Sequence, residues 1–135
     1  MARIVTRPAI VIPVDGPPEL VNMPERDTLS FLQANAGRTV ELARLGDIPD
    51  APGLEMDVWY DEEGTLNGSP FNPLLSAFVS ASRGYRNPLV GTGVVCASNY
   101  EGETVPLPLE LAASLFRCLH DAWQDAHTPP AHTLN

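Results

Sequence analysis

The sequence contains no lysine, so all eight of its basic residues are arginines. They are outnumbered by 17 acidic residues, which gives a net charge of −9. A field of this sign repels phosphate backbones and anionic membrane surfaces. Direct nucleic-acid binding is therefore disfavoured, whereas a basic partner protein, or mimicry of DNA, is compatible with the charge. The alternative is that the charge only keeps the protein soluble.

Cysteine is scarce as well, with only Cys96 and Cys118. Both lie in apolar stretches and are interpreted as small buried residues in a reducing cytoplasm, with a disulfide between them as the alternative. Even with His120 nearby they do not make the four-ligand set of structural zinc. The acidic run at 57–63 lacks the alternating spacing of a calcium loop. We therefore expect no metal and no cofactor.

Long hydrophobic runs are also missing. Pro8 and Pro13 interrupt the apolar N-terminal stretch, which has no secretion signal. No segment approaches the ~20 apolar residues that a membrane span needs. We therefore expect a cytoplasmic protein, without membrane contact.

The remaining composition is that of a globular protein, with 135 residues of which 44% are hydrophobic and 19% charged. This length fits one domain. We predict a single domain over residues 1–125 and a polar tail over residues 126–135, where prolines and histidines replace the apolar pattern.

Three helices are predicted from their capping residues. Asp27 is a suitable N-cap for a helix over Thr28–Ala36, which Gly37 would end. Asn72 followed by Pro73 is a strong start for a helix that ends near residue 81. The last helix is expected from Pro108 to about residue 124.

The clearest strand is Leu54–Tyr60, in which apolar and polar residues alternate. Strict alternation predicts one buried face and one exposed face, the latter carrying Glu55, Asp57 and Trp59. Further strands are expected near residues 9–12, 19–22, 39–45 and 89–97, with a brief return strand at 65–67. Gly91 and Gly93 indicate a bulge or a close backbone approach.

These elements are mostly short and joined by turns. Their order, β-β-α-β-β-α-β-α, predicts an α+β fold. We expect one antiparallel or mixed sheet of four to five strands, with two or three helices packed mainly on one face.

A family resemblance rests on residues 58–73, where a strand ending in aromatic residues is followed by Asp-Glu-x-Gly, a leucine, a glycine and Pro-x-Asn-Pro. Residues 32–42 and the Gly-Thr-x-Val-Val strand at 91–95 support it. Over about Asp27–Ala97, and in the last helix, the chain resembles the family called domain of unknown function 3846. The resemblance implies a small, uncharacterised accessory protein of a phage or plasmid, especially of actinobacteria, and transfers no activity.

One candidate ligand site combines Arg83, Tyr85 and Arg86 with Asn72. Arginine can clamp a phosphate and tyrosine can stack on a base, while the start of a helix offers free amides. This loop is therefore a candidate site for a nucleotide or another small anion. The alternative is that these arginines form ordinary surface ion pairs.

A candidate protein contact is formed by Trp59, with Glu55 and Asp57 beside it and Glu62 and Glu63 in the following turn. Exposed tryptophan is enriched at interaction hot spots. The alternative is that a helix covers this face and buries Trp59.

No catalytic motif is present; the Gly-x-Ser-x-Gly pattern, for example, is absent. Our first hypothesis is therefore a non-enzymatic accessory protein that binds a host protein or itself as a homo-oligomer. The second is a small-molecule binding protein that uses the Arg83–Arg86 loop. The third is an enzyme of unknown class, which would need a pocket where histidine, carboxylate and serine or cysteine meet.

Overall fold

The computed structural model describes residues 4–83 and 88–128, and of Arg83 only the backbone. Within these ranges the chain forms six strands and three helices. The strands are β1 (Pro8–Ile12), β2 (Glu19–Asn22), β3 (Val40–Asp47), β4 (Glu55–Asp61), β5 (Gly93–Ser98) and β6 (Thr104–Val105). The helices are α1 (Thr28–Ala36), α2 (Pro73–Arg83) and α3 (Leu109–His127).

All strands belong to one sheet in the order β2-β1-β5-β4-β3. Each pair of neighbours is antiparallel, and β6 pairs with the end of β5. The predicted α+β fold with a single sheet is thereby confirmed. β6 was not predicted, because two residues are too few to show a periodic pattern.

Helices cover the sheet on both sides. On one face, α2 and α3 pack on a core that comprises Ile10, Ile12, Val58, Leu75, Val79, Val95, Ala97, Ala112 and Leu119. On the other face, α1 packs on a smaller core of Ala9, Val11, Met23, Leu32, Ala36, Val94 and Cys96. Consequently every residue of β1 and β5 is buried.

The alternation in β4 is confirmed, but its second face is not exposed as predicted. Met56 and Val58 face the core under α2 and α3. On the opposite face Trp59 packs beneath α1 and Asp57 is 0% exposed. The prediction of an exposed face is wrong at Asp57, because a local pattern of polarity does not reveal that α1 returns over this side.

The ends of α1 agree with the capping prediction. The Asp27 carboxylate accepts a hydrogen bond from the amide of Ser30 at 3.3 Å. At the other end Gly37 has a φ of 136°, and a Cβ there would lie 2.7 Å from Cγ of Asp61. Glycine is therefore needed at this position, both for its backbone conformation and for its closeness to β4.

Two strand predictions differ from the structure. Residues 65–67 form turns rather than a return strand. β5 begins at Gly93 rather than near residue 89, since Gly91 has a φ of 76° that interrupts the extended chain. The close approach predicted for Gly93 is confirmed, because a Cβ there would lie 2.5 Å from Leu75 of α2.

Asn72 joins three parts of the fold. Its side chain is buried, and Nδ2 donates to the carbonyls of Ile12 at 3.1 Å and Gly91 at 2.8 Å. Its Oδ1 accepts the amide of Leu75 at 3.0 Å, which confirms the predicted N-cap of α2. One side chain thus fixes β1, the approach to β5 and α2 relative to one another.

We expect Asn72→Ala to lower the free energy of unfolding by about 2–4 kcal/mol, because it leaves buried carbonyl and amide groups without partners. Urea denaturation measures this loss. Asn99→Ala is the control, since its hydrogen bonds to residues 101 and 103 are solvent-exposed and their loss should cost about 1 kcal/mol or less. Equal losses for the two variants would contradict the role of Asn72.

Candidate functional site: the acidic edge of the sheet

Most of the net negative charge lies at one side of the sheet. Residues 40–63, which comprise β3, β4, the loop between them and the start of the following turn, contain eight acidic residues and one arginine, a net charge of −7 out of −9. The rest of the chain is nearly balanced. The charge is therefore a local feature of this edge rather than an even coat.

The one arginine of this edge, Arg44, lies between two carboxylates of β4. Its Nε is 3.0 Å from Glu55 Oε2 and 3.3 Å from Asp57 Oδ1, and Nη2 makes a weak contact of 3.5 Å to Ser98 Oγ. The Asp57 side chain is 1% exposed, whereas that of Arg44 is 48% exposed. A half-exposed cation thus compensates a fully buried anion.

Two buried polar atoms near this ion pair have no hydrogen-bond partner within the part of the chain that the structure describes: Asp57 Oδ2 and Trp59 Nε1. Cys96 lies beside Asp57 on the neighbouring strand. Burial, and secondarily the Asp57 charge, raises the pKa of the Cys96 thiol to about 12. The thiol therefore stays protonated near neutral pH and is a poor nucleophile.

Glu62 and Glu63 are exposed in the segment that follows β4, residues 61–69, which we call the acidic loop. Its backbone is held by internal hydrogen bonds: the Asp61 carboxylate accepts the amide of Glu63 at 2.9 Å, and the Asn67 amide donates to the Glu63 carbonyl at 2.9 Å. Gly64 packs so closely that a Cβ would lie 2.8 Å from Val90. The loop is compact and anchored to the domain.

At the surface of this loop Leu66 is 86% exposed. Neither hydrophobic core includes it. Sequence analysis missed this residue. A single leucine within a polar turn sequence is the signal that could have found it, since such a residue contributes little to a core.

The model of one known protein family matches most of this chain. The model of a family described as domain of unknown function (DUF3846) matches residues 6–120. The chain belongs to this family. The match adds β1 and β2 to the segment that showed the resemblance, and it covers most of α3. No curated protein and no solved structure matched the chain.

Four residues of the motif that carried the resemblance to DUF3846 have a structural role. Asp61 and Gly64 shape the acidic loop, and Asn72 with Pro73 starts α2. Leu66 has no such role, because its side chain faces solvent.

The predicted protein-contact residues are divided by the fold. Glu62 and Glu63 are exposed, and the Glu55 side chain is 39% exposed while it pairs with Arg44. Asp57 and Trp59 face α1, so they offer a partner little surface. Trp59 therefore fits the alternative interpretation, in which a helix covers this face of the sheet.

The predicted ligand loop lies mostly outside the described residues, which exclude Tyr85 and Arg86. Arg83 ends α2 and Asn72 precedes its first residue, so their backbones are about 16 Å apart along the helix. The Asn72 side chain is already used by internal hydrogen bonds. Anion binding by this group of residues stays a prediction.

A cavity of about 280 Å³ lies between the start of α2 and the end of α3. Its lining includes Leu74, Trp123 and His127 but no carboxylate, serine or cysteine. His127 stacks on Trp123 at 4.4 Å, which helps α3 to continue two residues into the segment predicted as a tail.

Among residues 4–83 and 88–128, no cluster of three histidine, cysteine or acidic residues could hold a metal ion. None of the helices in these ranges is long and apolar enough to cross a bilayer.

We expect Arg44→Met to destabilise the protein by about 1–2 kcal/mol, below the loss for a fully buried pair because Arg44 is half exposed. The test is urea denaturation of the single variant Arg44→Met and of the double variant that combines Arg44→Met with Asp57→Asn. The second substitution removes the uncompensated charge and should restore most of the stability. A further loss in the double variant would contradict the role assigned to Arg44.

The two thiols should differ in reactivity. Both are free; Cys96 is buried, whereas Cys118 is exposed, contrary to the expectation that both are buried. With Ellman's reagent at pH 8 we expect one rapid equivalent in the folded protein and two after denaturation. Cys118→Ser should remove the rapid equivalent, and rapid labelling that persists in this variant would contradict the protection of Cys96.

Proposed function

We propose that this chain is a non-enzymatic accessory protein of a phage or another mobile element, and that it binds a host protein in the cytoplasm through the acidic loop. The observation that carries the proposal is Leu66, an 86% exposed leucine on a hydrogen-bonded loop. The mobile-element context rests on the family resemblance. The arrangement of an apolar tip beside two carboxylates is suited to protein recognition.

Leu66 would supply the apolar contact. Fully burying a leucine side chain contributes about 1.5–3 kcal/mol. Because the loop is already ordered by its internal hydrogen bonds, little conformational entropy is lost when a partner binds. A preformed loop can therefore turn a single anchor residue into useful affinity.

Glu62 and Glu63 would select the partner. Carboxylates at the rim of a contact steer oppositely charged surfaces and repel those of like charge. The complementary partner is a protein with an apolar socket bordered by arginine or lysine. Self-association through this loop is disfavoured, because both copies would bring the same negative surface.

We expect Leu66→Asp to abolish partner binding without lowering the melting temperature, since the side chain lies outside both cores. The measurement is quantitative mass spectrometry of proteins that the immobilised chain captures from a host lysate. Tyr100→Ser is the matched control, because Tyr100 is also 86% exposed but lies in the distant 99–102 turn. If Leu66→Asp captures the same proteins as the unaltered chain, the proposal is wrong.

A further inference from the structure

β3 is an edge strand. Within residues 4–83 and 88–128 it pairs with β4 only. The amide of Glu62 donates to the Thr39 carbonyl at 2.7 Å, so Thr39 and, two residues later, Glu41 direct their backbone groups toward β4. By the alternation of an antiparallel ladder, Val40 and Leu42 direct theirs away from the sheet. No strand of the described ranges takes up these groups, so this edge offers backbone donors and acceptors to another strand.

We propose that the first half of β3 binds an extended, basic segment of the partner protein as an additional strand of the sheet. The inference rests on the proposed function, because it specifies which kind of segment the same partner contributes. Strand addition at an open edge gives affinity through backbone hydrogen bonds, and side chains give specificity.

The carboxylates near this edge indicate that the added strand is basic. In the half of β3 that begins at Val40, Glu41 is exposed, and the adjoining acidic loop exposes Glu62 and Glu63. Arginine or lysine side chains on an added strand would lie near these carboxylates, and opposite charges on neighbouring strands attract. A second copy of the chain would present a second acidic edge, so a homodimer through β3 is disfavoured.

The position of the free edge connects it to the acidic loop. The register of β3 against β4 shifts between Arg44 and Gly46, and such a bulge hinders regular pairing beyond it. The usable edge is therefore the half near Val40. That half adjoins the acidic loop through the Thr39–Glu62 hydrogen bond, so one partner segment could contact both.

The test uses a fluorescein-labelled eight-residue peptide of alternating valine and arginine, followed by fluorescence anisotropy. Leu42→Pro removes the outward amide and keeps the pairing with β4, because proline is tolerated on the open side of an edge strand. Leu42→Ala is the matched control, since it shortens the side chain but keeps the amide. We expect Leu42→Pro to weaken binding at least about tenfold, equivalent to about 1.4 kcal/mol, and Leu42→Ala to weaken it far less.

Two control peptides and one NMR measurement test whether the peptide binds as an added strand. A peptide with glutamate in place of arginine, and one with N-methylated backbone amides, should both fail to bind. In NMR spectra of the unaltered protein, the peptide should protect the Val40 and Leu42 amides from exchange, which does not depend on the folding of any variant. Strand addition would be overturned if the Leu42→Pro and Leu42→Ala variants bound the valine–arginine peptide equally well. It would also be overturned if the N-methylated peptide or the glutamate peptide bound as tightly as the valine–arginine peptide.

The outcome separates this inference from the proposed function. If Leu66→Asp abolishes capture of the host protein while Leu42→Pro leaves it unchanged, the loop binds a partner and the strand addition is wrong. If both variants abolish capture, the partner uses the loop and the edge together, as proposed.

Discussion

The structure depends on keeping both faces of its two central strands away from water. Every residue of β1 and β5 is buried, with α2 and α3 on one side and α1 on the other. Burial of this apolar surface is the main favourable contribution to folding. Asn72 fixes the arrangement, because its side chain bonds to the end of β1, to Gly91 and to α2.

Because the faces are covered, the sheet can meet other molecules mainly at its edges. β3 lies at the end of the strand order and, with β4, the loop between them and the adjoining turn, carries a net charge of −7. Within this region Arg44 compensates Asp57, the carboxylate that folding buries, while Glu41, Glu62 and Glu63 remain exposed. The Asp57 charge is therefore neutralised inside the fold, whereas the charges of Glu41, Glu62 and Glu63 can attract a basic partner.

Sequence analysis predicted the features that local chemistry determines. Asp27 and Gly37 bound α1 as expected, and the alternation in β4 gave the correct inward face. It did not predict that α1 covers the other face of β4, since that depends on how distant segments pack. The exposed Glu62 and Glu63 were identified, whereas Leu66 was missed because residues 65–67 resembled a short strand. Their turn is set by hydrogen bonds within residues 61–69 and by the packing of Gly64 against Val90, and this second contact forms only in the folded chain.

Amide hydrogen exchange in the free protein, resolved by NMR, distinguishes an open β3 edge from one that is already paired. We expect slow exchange in β5, which pairs with strands on both sides, and for Glu41 and Ala43, whose amides face β4. We expect fast exchange for Val40 and Leu42, whose amides point away from the sheet. Protection of Leu42 equal to that of Ala43 would show that this edge is already paired, and would exclude β3 as an open edge.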